Sequence, residues 1–174
     1  MGAVIRRETR YRILAALAAL ALGCAVHAAD DFKTGGPYVP TPQVVVDQML
    51  RMAGVGEGDF VIDLGSGDGV IVLTAAKQFK AAGMGVDIDP ELVKLSNDTA
   101  RMLGVADRAR FLEQDVYKAD LSRASVLTLY LLPPMMLSLR PKIFNELKPG
   151  VRGGQRKEDK YPAHCSRRNL HFHH

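Results

Sequence analysis

The feature that most constrains this chain is a short apolar strand running straight into three alternating glycines. "DFVIDL" at Asp59–Leu64 is followed at once by Gly65-Ser66-Gly67-Asp68-Gly69. The glycines permit a tight turn that other residues resist. Beyond it, "VIVLTAAKQF" carries enough apolar residues for a helix packed back onto the strand. A strand, a glycine turn and a helix form the first half of a βαβ unit, whose second strand lies parallel to the first.

The rest of the core fits the same pattern on both sides of this unit. Asp30–Pro42 is rich in Gly and Pro and reads as an extended lead-in. "QVVVDQMLRMAGV" reads as a helix with Val44, Val45, Gln48, Met49 and Met52 near one face. Asp68 to Phe79 reads as a helix with Asp68 as its N-cap. "GMGVDI" is the second strand, and Pro90 opens a helix to about Leu103. "ARFLEQD" is the third strand and "SVLTLYLL" the fourth, apolar as a strand covered on both faces must be. Pro133–Lys148 is helical, broken or restarted at Pro141. The fold class is therefore α/β, a Rossmann-like parallel sheet with helices on both faces. Ligands of such sheets lie beyond the carboxyl ends of the strands. Those ends are Asp63, Asp87, Asp115 and Tyr130–Pro133.

The glycine spacing by itself is a weak signal, and together with the acids at successive strand ends it points to the ligand. A dinucleotide loop is G-x-G-x-x-G, and the place of its third glycine is held here by Val70. Asp63 lies two residues before the loop and Asp68 lies inside it. Carboxylates there repel a pyrophosphate and suit a ligand carrying positive charge. S-adenosyl-L-methionine, with a sulfonium, an ammonium and no phosphate, is such a ligand. Gly65, Ser66 and Gly67 would pass close to it, and Asp63 would attract its ammonium directly or through water. Asp87 would accept from the ribose hydroxyls and Asp115 from the adenine amine, with Ile88 and Val116 against the ring.

"VIDLGSGDG", "GVDIDP" and "FLEQDVY" resemble three motifs of the class I S-adenosylmethionine-dependent methyltransferases. "YVPTPQVVVDQML", "DLGSGDGVIVLTAAK" and "LYLLPPMMLSLRPKIFNELKPG" narrow the resemblance. They are similar to the protein-lysine methyltransferases that include the mitochondrial ATP-synthase c-subunit lysine methyltransferase and bacterial relatives. The resemblance spans about residues 37–151. It implies methyl transfer to a lysine of a protein, often one near a membrane. The alternatives are a cofactor-binding remnant without catalysis and a small-molecule O- or N-methyltransferase. The resemblance supports Asp63, Gly65, Gly67, Asp87 and Asp115 as cofactor contacts, and it implies that Tyr38–Thr41 folds over the cofactor as a lid. The family usually has Arg or Lys where Val70 stands. Tyr130-Leu131-Leu132-Pro133 replaces the Asn/Asp-Pro-Pro-aromatic motif of enzymes that methylate adenine or glutamine amides, which argues against nucleic acid.

No catalytic residue is assigned. Tyr130 reads as packing at a strand end, and Tyr130 or Tyr38 is the candidate acceptor for a hydrogen bond from the amine. Residues 30–150 contain no histidine, so a histidine base is excluded there. They also contain no cysteine, which excludes a disulfide framework or thiolate metal site in that region. The same residues carry 13 basic and 16 acidic side chains, so the positive net charge of the chain, +4, belongs to its ends. No basic footprint for nucleic acid marks the core.

The ends read differently from the core. Residues 1–28 have a basic start, an apolar run from Ile13 to Val26 and small residues at Val26-His27-Ala28. That is the pattern of a cleaved export signal, with an uncleaved membrane anchor as the alternative. Residues 151–174 lose apolar periodicity, and the sheet is expected to stop after the fourth strand and its helix. The resembling family continues with Arg-Val-Val-Ser, a buried strand. Inserting a G into CGC GTG GTC AGC gives CGC GGT GGT CAG, which spells the Arg-Gly-Gly-Gln found at Arg152–Gln155. The tail is therefore read as frameshifted. A metal-binding tail using His164, Cys165, His171, His173 and His174 is the alternative, although the spacing matches no structural zinc pattern. Oligomeric state is not legible.

Overall fold

The computed structural model describes residues 38–156 and 162–166. The N-terminal signal or anchor, the lead-in as far as Pro37, and residues 157–161 and 167–174 lie outside the described residues.

The chain enters at helix α1, Gln43–Met52, directly after Pro42. Its buried residues are Val46, Met49 and Leu50, an i, i+3, i+4 stripe. The sequence expectation shares only Met49 with that stripe, and Val44 and Met52 are exposed. Apolar residues fall on several sides of this helix, so spacing alone does not choose the buried one.

Strand β1, Phe60–Leu64, is the centre of the sheet. Helix α2, Val70–Gln78, returns to β2, Ala82–Asp87. Helix α3, Pro90–Met102, returns to β3, Ala109–Glu113. The chain then crosses to the other side of β1 for β4, Val126–Leu129, followed by α4, Pro133–Glu146. Ile62 is in register with Met84 on one side and Leu127 on the other, both in parallel. This reversal of direction between β2 and β4 opens the crevice where ligands of parallel sheets bind.

Alternate residues of β1 feed two cores. Val61 packs with Val46, Leu50, Val72 and Phe111 under α1–α3. Ile62 and Leu64 pack with Leu121, Leu127, Leu139 and Ile143 under α4. The Rossmann-like reading with helices on both faces therefore describes the chain. Helix α4 runs through Pro141 without a break. Pro141 removes a single backbone donor, while Leu139 and Ile143 on either side of it are anchored in the core. Strand β4 stops at Leu129, three residues short of the sequence expectation.

The sheet also continues past the point where the sequence reading ends it. Strand β5, Arg152–Arg156, pairs in parallel with β4, with Leu127 opposite Gly153. Strand β6, Pro162–Ser166, pairs antiparallel with β5, giving the order β3-β2-β1-β4-β5-β6. Periodicity could not announce β5, because Arg-Gly-Gly-Gln-Arg has neither apolar side chains nor β-branching.

Arg152 ties this strand to the start of the domain. Its Nη1 donates to the carbonyls of Ala53 and Gly54, each at 2.7 Å, and its Nη2 pairs with Asp59. Asp59 also accepts from Ser125 Oγ at 2.7 Å and from the Gly56 amide at 2.8 Å. This polar clamp lies at the amino ends of β1 and β4, the pole opposite the glycine loop.

Among the described residues no helix is long and apolar enough to cross a membrane.

Candidate cofactor site

The loop that joins β1 to α2 lies on the end of β2. The Val86 carbonyl accepts the amides of both Gly65 and Ser66, at 2.9 and 3.0 Å. The Gly67 amide donates to Asp87 Oδ2 at 2.7 Å. Gly65 and Gly67 hold φ of +78° and +52°, the left-handed region that side chains disfavour. A Cβ on Gly65 would sit 2.7 Å from Leu131 Cδ2 and 3.3 Å from the Tyr130 carbonyl oxygen. A Cβ on Gly67 would sit 2.6 Å from Cε2 of Tyr38. The bare backbone of the loop is thus the cradle, with the end of β4 and Tyr38 packed directly against it at Gly65 and Gly67.

Helix α2 begins at Val70 with Gly69, not Asp68, in the cap position. Asp68 still accepts the Val70 amide at 3.2 Å. The left-handed Gly69 ends the loop and lets Asp68 face Tyr38.

The predicted site residues occupy distinct positions. Asp87, half-buried at the tip of β2, accepts from Gly67 through one oxygen and from the Asp89 amide through the other, at 3.0 Å. A carboxylate has about four acceptor sites, so each oxygen keeps one for a hydroxyl. Ile88 beside it is 47% exposed, an open apolar face on the crevice. Asp115 stands two residues beyond β3 and caps a 3-10 turn, accepting from Tyr117 at 2.9 Å. Val116 is 7% exposed and faces mainly the core under α4. Ser66 is buried, and its hydroxyl has no partner among the described residues. It packs towards Gly85, where a Cβ would meet Ser66 Oγ at 2.7 Å.

Asp63 differs most from expectation. It is 1% exposed and lies beneath the loop. The carboxyl meets Thr128 Oγ1 of β4 at 2.6 Å. Burial is the main cause that pushes its pKa up to about 7, the Thr128 hydrogen bond opposes it, and the charges of Asp87 and Asp68 add to it. It lies buried under the loop rather than at an exposed contact position. Sequence reasoning misses Thr128. One threonine in an apolar strand carries no local signal, and only the β1–β4 register places it opposite Asp63.

The Tyr38 ring lies against the loop at Gly67. Desolvation, then its hydrogen bond to Asp68 and that residue's charge, push its pKa up to about 12. It stays protonated at neutral pH and is no base.

The donor set fits S-adenosyl-L-methionine. The loop presents bare backbone at Gly65 and Gly67, the Asp87 oxygens retain acceptor capacity, and carboxylates stand where a phosphate ligand would need amides or cations. The sheet order, glycine loop and strand-end acids define a Rossmann-like class I methyltransferase domain.

Comparison with known proteins agrees. The model of the ANTKMT methyltransferase domain family matches residues 63–152, just over half of the chain. A protein-lysine N-methyltransferase of Saccharolobus islandicus is 43% identical over 117 residues, covering 67% of this chain and 73% of that protein. An ATP-synthase c-subunit lysine N-methyltransferase of Xenopus laevis is 38% identical over 117 residues, covering 67% of this chain and 50% of that one. The crystal structure of an RNA methyltransferase from Salinibacter ruber in complex with S-adenosyl-L-homocysteine is 50% identical with a TM-score of 0.66, covering 67% of this chain and 76% of that chain. This chain belongs to the ANTKMT methyltransferase domain family, with S-adenosyl-L-methionine as its cofactor. It spans about half the length of the vertebrate relatives it matches.

Proposed function

We propose that the protein transfers a methyl group from S-adenosyl-L-methionine to the side-chain amine of a lysine in a protein acceptor. The observation that carries the reading is the glycine cradle with Asp87 bonded across it, joined to relatives named for lysine methylation. Asp87 would hold the ribose, Gly65 and Gly67 the methionine portion, and Ile88 one face of the adenine, with Asp115 at its edge. The bound cofactor supplies an electrophilic methyl on a sulfonium.

The chain's own part is chiefly alignment, since in-line displacement gains most from holding nucleophile and methyl in register. An acceptor lysine must arrive neutral, and a crevice walled by Leu131 and Tyr38 lowers an amine's pKa by desolvation. Tyr38, protonated and bonded to Asp68, closes the crevice rather than taking the proton.

The reading includes placement near a membrane by residues 1–28, supported by their basic start and apolar run. The experiment is incubation of the purified chain with labelled S-adenosyl-L-methionine and separate membrane, soluble-protein and RNA fractions, followed by mass spectrometry. Methyl-lysine in the membrane proteins is expected, and label confined to RNA would overturn the reading. RNA is the second reading, favoured by the name of the Salinibacter ruber structure and opposed by the acidic balance of residues 30–150.

A further inference from the structure

The Asp63–Thr128 pair is not explained by packing alone. Both side chains are nearly fully buried, at 1% and 2% exposure. They sit at the same register position of the two strands that flank the crevice. Thr128 Oγ1 lies 2.6 Å from Asp63 Oδ1 and 3.4 Å from the Ile62 carbonyl oxygen. A hydroxyl has a single proton and cannot donate to both acceptors at once. With Asp63 ionised, Thr128 donates to the carboxylate. With Asp63 protonated, the carboxyl donates to Thr128, which turns its proton towards Ile62. The pair therefore has a hydrogen-bonded arrangement for either state of Asp63. The charged groups facing Asp63 are Asp68 from the loop and Asp87 from β2, both acids. No ion pair among the described residues reaches it.

We propose that Thr128 is a positioning residue for the cofactor: its hydroxyl holds the Asp63 carboxyl under the glycine loop and lets it ionise there when a cationic ligand binds above. Without that hydroxyl no other group among the described residues opposes the cost of a buried charge beside two other carboxylates. Asp63 would then hold its proton to higher pH, and the loop would lose the negative charge that favours a sulfonium and an ammonium. Cofactor binding through the ionised form also expels a proton in the pH range where the free protein still holds it. This rests on the cofactor site alone, so the nature of the methyl acceptor does not enter.

The test is calorimetric titration of the full chain with S-adenosyl-L-methionine from about pH 6 to about pH 9, in buffers of differing ionisation enthalpy. For the native chain, affinity should fall about tenfold per unit below the Asp63 midpoint, with proton release on binding. Thr128→Val should move that midpoint upwards, so that binding weakened at neutral pH recovers at high pH. Thr128→Ser should restore the native profile, and Asp63→Asn should flatten it and abolish the proton release. A Thr128→Val profile with an unmoved midpoint, weaker by the same factor at every pH, would reduce Thr128 to packing and overturn the proposal. So would native binding without proton release. If Thr128→Val does not fold, Thr128→Ala removes the same hydroxyl and takes its place, with the same two outcomes, and native binding without proton release still overturns the proposal. A native chain that binds no cofactor at any pH would instead overturn the cofactor reading.

Discussion

The amide of Gly67 donates to Asp87 Oδ2 at 2.7 Å, joining the tip of the glycine loop to the tip of β2 across 20 residues of sequence. One carboxylate thus shapes the loop and faces the crevice. Asp87→Ala should weaken S-adenosyl-L-methionine binding by roughly ten- to a hundredfold, the scale of losing hydrogen bonds to a charged group. Asp87→Asn should lose nearly as much. Whichever way its amide turns, an NH2 group faces the N–H of Gly67 or of Asp89. Calorimetric titration checks both, and native affinity in Asp87→Asn would contradict this geometry.

Gly83 and Gly85 of β2 should tolerate no side chain. A Cβ on Gly83 would stand 2.8 Å from the Val61 carbonyl oxygen, which cannot retreat without parting β1 from β2. Gly83→Ala is expected to cost about 2–3 kcal/mol, as overpacking of a closed interior does. Gly56→Ala, where nothing lies within 4 Å, should change stability by less than about 0.5 kcal/mol. Urea unfolding of the two variants makes the comparison.

Asp63 gives the free protein an unusual pH dependence. Its pKa in the folded chain, about 7, lies above the ordinary value of 3.8, so between those values the native state holds the extra proton. Stability from this group therefore falls as pH rises through that window, by up to about 4 kcal/mol in total. Asp63→Asn should lose less stability than the native chain between about pH 4 and pH 7. Thermal melts across that range check the difference. A native chain that gains more stability than the variant as pH rises would reverse the sign.

Arg152 should matter to folding far more than its place in an unpromising sequence suggests. Arg152→Met takes the side-chain donor from the carbonyls of Ala53 and Gly54 and the cation from beside the shielded Asp59. A loss of about 2–3 kcal/mol in urea unfolding is expected. The clamp lies at the opposite pole from the glycine loop, so cofactor affinity of the folded fraction should remain unchanged.

The parts of this protein legible in its sequence are those whose signals are local. The loop Gly65–Gly69, the strand β1 and the acid Asp87 each follow from a few adjacent residues and a period. Thr128 and the glycines of β2 are not legible as site and packing residues, because their meaning depends on which strands become neighbours. Strand β5 is not legible because Arg-Gly-Gly-Gln-Arg lacks every strand preference, and its position is set by β4 and the Arg152 clamp. The family match ends at Arg152, the last residue before the point where the frameshift reading changes frame. A Val-rich strand in the other frame of the gene is what that reading predicts.

Phe111 has a consequence beyond its own burial. Its ring lies where a side chain on Gly69 or Gly85 would otherwise be, 2.6 Å from either missing Cβ. The aromatic ring is thus the floor on which the end of the loop rests, with no layer of side chains in between. A volume change there should travel straight into the ligand cradle. In this domain, titration with the cofactor would also serve as a gauge of how well the interior is filled.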